Sequence, residues 1–181
     1  GEEIGMSDGR IRRRDIRDPV GKKYWPFYRG RDGARTPMQW NELAGAGFTT
    51  GSPWLPINPD HTTVNVEAQR EDPGSLLNFY RRLIGLRKNT NALNRGEWVQ
   101  AKKASDGVVA WYRLHEGEKV LVVMNFTRRH RRLFLGGDER WEVMLSTHRE
   151  TGSVLEGLPV GLFPYEATIF ACRAESSCSL P

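Results

Sequence analysis

What this chain lacks narrows it first. Among its 181 residues only Cys172 and Cys178 are cysteines, and no second pair accompanies them, which argues against a structural zinc site. We read the two as reduced thiols of a cytoplasmic protein, a terminal disulfide closing a short loop being the other reading. The four histidines, His61, His115, His130 and His148, are scattered and show no metal-ligand spacing, so no metal is expected. No run of about 18 apolar residues occurs, so no transmembrane helix and no membrane partner are expected. The opening segment GEEIGM is acidic, short of apolar residues and does not begin with Met. It reads as the start of a fragment or a processed chain, not as a signal peptide. Internal repeats and low-complexity segments are also missing. Apolar residues make up 38% of the chain and glycines number 19, which is the balance of a globular protein and not of a disordered one.

The net charge of +5 is uneven. Residues 1–95 carry 16 Lys and Arg against 11 Asp and Glu, whereas residues 96–181 carry 11 of each. The basic excess therefore lies wholly in the first part. Arg10, Arg12, Arg13, Arg14 and Arg17, interspersed with Asp15 and Asp18, read as a solvated loop face. A second run, Arg128, Arg129, His130, Arg131 and Arg132, reads as a β-hairpin tip that blunts an edge strand. Only Phe126 and Phe134 flank it, too few stacking partners for a nucleic-acid surface, so no nucleic-acid partner is expected.

Residues 1–72 lack periodicity of either kind, and prolines and glycines recur through them. A loop-rich stretch of this length inside a folded protein is generally functional. The next segment, PGSLLNFYRRLIGLRKN over residues 73–89, predicts a helix. Asp72 is the expected N-cap and Pro73 the first helical residue, where its missing N–H costs nothing. Leu76, Leu77, Tyr80, Leu83 and Ile84 form an apolar stripe, and Arg87 and Lys88 complement the dipole of the last turn. From residue 96 the period moves towards two. Strands are expected at 108–114, 119–126, 131–135, 141–146 and 166–173, with turn signals such as Glu116-Gly117 and Gly136-Gly137-Asp138, and room for one more strand in 147–165. The fold class is mainly β: an antiparallel sandwich over 96–181 preceded by a loop-and-helix region over 1–95. Trp98, Trp111 and Trp141 are expected in the sandwich core.

The densest cluster of unusual residues is YRGRDGARTPMQW over 28–40. An arginine fork can pair with carboxylates or bridge vicinal hydroxyls, and tryptophan and tyrosine offer flat faces suited to a sugar ring. Pro37 biases Thr36 towards extended backbone. The residues alone leave open whether Asp32 pairs with Arg31 or Arg35 only to stitch the loop.

GRDGARTPMQW, followed by AGAGFTTGSPWLPINPDHTTVNVEAQREDPGSLLNFYRRLIGLRK, resembles the α-amylase superfamily of glycoside hydrolases, in its oligo-1,6-glucosidase, α-glucosidase and trehalose-synthase branch. GEEIGM is similar to that family's segment directly after the eighth barrel strand, and the resemblance runs through residues 1–89. It implies the last loop and last helix of a (β/α)8 barrel over 1–95 and the family's C-terminal Greek-key β-sandwich over 96–181. The implied activity is retaining cleavage or transfer of α-linked glucose in short oligosaccharides, with two carboxyl groups about 5 Å apart across the bond. The family's nucleophilic aspartate, acid–base glutamate and third aspartate lie upstream of the position matching Gly1, so no catalytic residue is assigned in this chain. By resemblance Arg35 hydrogen-bonds the sugar on the non-reducing side of the scissile bond. Arg31 and Asp32 hold that loop or reach the next subsite, and Glu3 lies near the aglycone side. The implied partners are an α-linked glucose oligosaccharide and the barrel portion that precedes residue 1. No cofactor is expected, since the calcium of some members binds outside this region. The alternative is a non-catalytic structural or carbohydrate-binding β-module.

Overall fold

The computed structural model describes residues 1–101, 105–134, 139–156 and 160–173, in two units, Gly1–Arg81 and Arg82–Pro181.

The first unit is mostly loop, punctuated by helices too short to show a period. Helix α1 (Pro19–Tyr24) starts where Asp18 caps it, accepting from the amides of Val20 at 2.8 Å and Gly21 at 3.3 Å, with Pro19 at the first helical position. Helix α2 (Val66–Arg70) starts at Asn65, whose Oδ1 accepts from the amide of Ala68 at 2.8 Å. Helix α3 (Leu76–Asn89) begins three residues later than the sequence suggests. Ser75 supplies the cap, its Oγ accepting from the amide of Asn78 at 3.2 Å. Asp72 is drawn into the preceding turn instead, accepting from the amide of Gly74 at 2.8 Å. The unit has one small apolar cluster, Ile4, Val66 and Leu77, with Met6 and Met38 against it. Much of the rest is tied by side chains reaching backbone. Gln69 donates to the carbonyl of Ile4 at 2.7 Å and accepts from the amide of Leu77 at 3.1 Å. Asn58 donates to the carbonyl of Ser7 at 2.6 Å. Buried Gln39 donates to Asp60 Oδ1 at 3.1 Å and to the carbonyl of Val64 at 2.5 Å, while its own Oε1 is buried without a partner.

The second unit is built on a six-stranded antiparallel sheet in the order β1-β2-β3-β8-β5-β6, with a two-stranded sheet of β4 and β7. The strands are β1 (Glu97–Gln100), β2 (Val108–His115), β3 (Glu118–Asn125), β4 (Arg131–Leu133), β5 (Arg140–Ser146), β6 (Val154–Glu156), β7 (Val160–Leu162) and β8 (Ala167–Arg173). The non-sequential insertion of β8 between β3 and β5 is the arrangement a Greek-key sandwich requires. Alternation along β3 sends Leu121 and Val123 to one cluster, with Ala110, Tyr112, Trp141, Val143, Phe170 and the β4 and β7 residues Leu133, Val160 and Leu162. Val120 and Val122 go to the opposite cluster, with Ile169 and with Ala92 and Leu93 of α4 (Asn91–Arg95). Being covered on both faces, β3 needs its continuous apolar run. Register slips once, between Val143 and Leu145 of β5 against β8, a β-bulge.

Several expectations are corrected. Residues 147–165, where the sequence leaves room for one more strand, hold two, β6 and β7, and β1 precedes the expected set; at three or four residues these strands are too short to alternate visibly. Strand β4 pairs with β7, so the 128–132 arginine run lies on a crossing between two sheets and not on a hairpin tip. Trp141 is fully buried and Trp111 packs against the second cluster, but Trp98 is 55% exposed because β1 is an edge strand. Of the α3 stripe, Leu77 packs in the small cluster with Ile4 and Val66, and Leu83, with Leu86, packs against the second sheet cluster, while Leu76 and Ile84 are exposed. Cys172 is disulfide-bonded and not a reduced thiol. Composition suggested a reducing compartment, but a bridge needs only a geometrically suitable partner. Cys178 and the Gly136-Gly137-Asp138 turn lie outside the described residues.

Candidate functional site

The YRGRDGARTPMQW segment folds as a 3-10 turn, Asp32–Arg35, that stops at Thr36. Thr36 has φ −61° and ψ 157°, the extended backbone that Pro37 imposes. The turn is pinned from outside itself. Asp32 is 1% exposed, and its Oδ2 accepts from the amides of Arg17 at 2.6 Å and Asp18 at 2.9 Å. Asp18 answers in the other direction: beyond capping α1, its Oδ2 accepts from the amide of Arg31 at 2.8 Å. The amide of Gly9 donates to the carbonyl of Gly33 at 2.9 Å, bringing a third stretch of chain against the turn. Two glycines make this crossing feasible. Gly30 has φ +75°, and a Cβ there would stand 2.9 Å from the Asp18 side chain. A Cβ on Gly21 would meet the carbonyl oxygen of Arg29 at 2.8 Å.

The electrostatics follow from those bonds. The amide of Arg31 is the largest influence on the Asp18 carboxyl; burial opposes it, and the amides of Gly21 and Val20 with the nearby charge of Arg35 complete a net shift below the ordinary value. Asp18 is therefore a carboxylate over the whole neutral range.

Arg31, Asp32 and Arg35 lie on one turn, Asp32 buried and both arginines exposed. Of the two roles open to Asp32, holding the loop is the one its burial fits. The stitch is not the ion pair that sequence suggested, since among the described residues no ion pair joins it to Arg31 or Arg35. A fixed acceptor for two backbone amides, reached across 14 or 15 residues, serves instead. Arg31 and Arg35 are both exposed, and neither guanidinium is bonded to another described residue. Their donor forks are thus available to a ligand's hydroxyls. Tyr28 and Trp40, at the two ends of the segment, are 45% and 47% exposed.

Glu3 is not part of this turn. It lies in a separate 3-10 turn, Glu2–Ile4. Its neighbour Glu2 accepts from the Tyr80 hydroxyl at 3.1 Å, which raises the phenol's pKa. A cleft of about 500 Å³ lined by residues 7–12 and 56–60 does not include Arg31 or Arg35. Among the described residues no group of three or more His, Cys, Asp or Glu is placed to hold a metal ion, and no helix is long and apolar enough to cross a membrane.

Sequence reasoning missed Asp18, treating it as part of a solvated basic run. The Asp-Pro pair at 18–19 was the available signal, since it marks a helix start. Gln39 and Asn58 were missed as well; both do their bonding through contacts remote in sequence, which no local pattern announces.

The family model described as "Alpha amylase, catalytic domain" matches residues 1–96, and that described as "Alpha amylase, C-terminal all-beta domain" matches residues 98–162. An oligo-1,6-glucosidase of Parageobacillus thermoglucosidasius is 31% identical over 96% of this chain and 34% of its own length. A probable alpha-glucosidase of Rhizobium meliloti is 38% identical over 70% of this chain and 23% of its own. The crystal structure of isomaltulose synthase from Klebsiella sp. LX3 superposes with a TM-score of 0.83 at 29% identity, over 96% of this chain and 34% of that one. The chain thus spans about a third or less of the length of these relatives.

Proposed function

The chain belongs to the alpha-amylase family, and from that premise we propose that it is the C-terminal part of a retaining glycoside hydrolase acting on α-glucosidic bonds of short oligosaccharides. On this reading residues 1–95 are the loop after the last barrel strand and the last barrel helix, and residues 96–181 are the appended β-domain. The nucleophile, the acid–base glutamate and the third aspartate belong to the portion of the relatives that this chain does not span. That portion is the protein partner of the first unit. The chain's own contribution is the rim of the glucose pocket. Arg35 donates to adjacent sugar hydroxyls, Arg31 reaches outward beside it, Asp32 anchors both, and Glu3 lies towards the aglycone side.

The observation that carries this reading is the pair of exposed, unbonded guanidiniums on a turn whose backbone is fixed by a buried carboxylate, inside the segment matching the catalytic domain. Fixing the turn before the sugar arrives lowers the ordering cost of binding. A cytoplasmic setting is supported by the low cysteine count; the disulfide at Cys172 counts against it, because such bonds persist in oxidising compartments.

Two measurements on the 181-residue chain test the proposal. With an aryl α-glucoside we expect no turnover above buffer, and turnover abolished by Arg35→Ala would show that the carboxylates are present after all. In an NMR titration with isomaltose or maltose we expect shifts confined to the neighbourhood of Arg35 and lost in Arg35→Ala. No shifts at millimolar sugar would leave the chain a structural role only.

A further inference from the structure

We infer that Asp18 is a positioning residue for the sugar-binding turn, acting as a two-sided clamp whose one oxygen caps helix α1 while the other holds the backbone of Arg31. The inference rests on the proposed role of Arg35. Oδ1 accepts from the amides of Val20 and Gly21, and Oδ2 accepts from the amide of Arg31 at 2.8 Å. The amide of Asp18 itself donates to Asp32, inside the turn. Residue 18 therefore both gives to and receives from the segment that carries Arg31 and Arg35. A single side chain couples the start of a helix to the orientation of the turn 13 residues downstream. Gly30 is shaped around it, since its φ of +75° and the 2.9 Å clearance to the Asp18 carboxyl leave room for no side chain.

The two oxygens can be separated chemically. An asparagine has one acceptor and one donor in place of two acceptors. In Asp18→Asn the remaining oxygen goes to the two cap amides at the positive end of α1, where asparagine is as good an N-cap as aspartate. Its NH2 then faces the amide of Arg31, donor against donor. The cap survives and the clamp opens. Gly30→Ala reaches the same end by another route, adding a methyl against the carboxyl without changing its chemistry.

The experiment is backbone amide exchange together with an isomaltose titration, on the wild-type chain and both variants. In Asp18→Asn we expect the Val20 and Gly21 amides to stay protected. Arg31 should lose protection by about tenfold, and the sugar affinity should weaken by about tenfold at an unchanged melting temperature. Gly30→Ala should lose Arg31 protection and sugar affinity in the same way. If Arg31 stays protected in Asp18→Asn, or loses protection while the affinity holds, the clamp is refuted and the role of Arg35 stands. If the wild-type chain itself shows no sugar-dependent shifts, the sugar reading falls and this inference falls with it.

Discussion

Each unit of the molecule buries a carboxylate, and the two are used in opposite ways. In the first unit Asp32 sits among loops and accepts backbone amides, those of Arg17 and Asp18, so that it replaces the hydrogen bonds a strand or helix would have provided. In the second unit Glu166, also 1% exposed, accepts from Arg149 Nε at 2.5 Å, from the Thr168 hydroxyl at 2.7 Å and from the amide of Phe163 at 2.7 Å. There the sheet satisfies most of the backbone, and the acid takes the one loop amide of Phe163 and otherwise serves to lock a crossing between strands. The general lesson is that a loop region with one small apolar cluster takes its order from polar side chains, while a sheet with two apolar clusters takes it from burial. Order of the first kind is local and directional. It fixes a turn well, yet each bond contributes only about 1 kcal/mol.

The comparison can be broken from either side. The largest effect should come from the sheet. Trp141→Ala empties the middle of the main cluster and should cost about 3–5 kcal/mol by urea unfolding. A loss below about 1 kcal/mol would mean that burial is not what holds this unit. Next comes Glu166→Gln, which leaves the Arg149 charge without its counterion and should cost about 3 kcal/mol. The same group supplies a pH test. Burial alone would raise its pKa, but Arg149, the amide of Phe163 and the Thr168 hydroxyl outweigh that and hold it below 4.5. Its stabilisation is therefore complete above about pH 4.5 and is lost as the pH falls through the depressed folded value; in Glu166→Gln that acid-dependent loss should shrink. The smallest effect belongs to the first unit. Asp32→Ala strands two amides and should cost about 1–3 kcal/mol, with the loss of exchange protection confined to Arg17, Asp18 and the 31–35 turn. Loss of protection spreading to β3 would erase the distinction between the units.

How much was legible in the sequence follows the same division. The longer strands β2, β3, β5 and β8 and the body of α3 were readable because burial writes a period into a chain. Strands β6 and β7 and helices α1 and α2 were not, since three to six residues hold too few repeats of any period. The pairing of β4 with β7 was invisible for a different reason: partners 27 to 31 residues apart leave no local mark, and proximity in sequence favoured a hairpin. At the site, motif and resemblance pointed to the 31–35 turn, where Arg31 and Arg35 lie exposed. What holds the turn could not be read. The donors to Asp32 come from Arg17 and Asp18, which locally look like two more members of a solvated basic run.

The position of β8 also bears on how the protein is made. The last of the described strands lies in the middle of the sheet, between β3 and β5. On a ribosome the β1-β2-β3 meander emerges first and must wait, with the unpaired side of β3 uncovered, until residues 167–173 leave the exit tunnel. Only then can β5 and β6 join through β8. Residues 167–173 must therefore be made before this unit can close, and during that interval the nascent chain presents its most apolar strand to chaperones and to neighbouring chains.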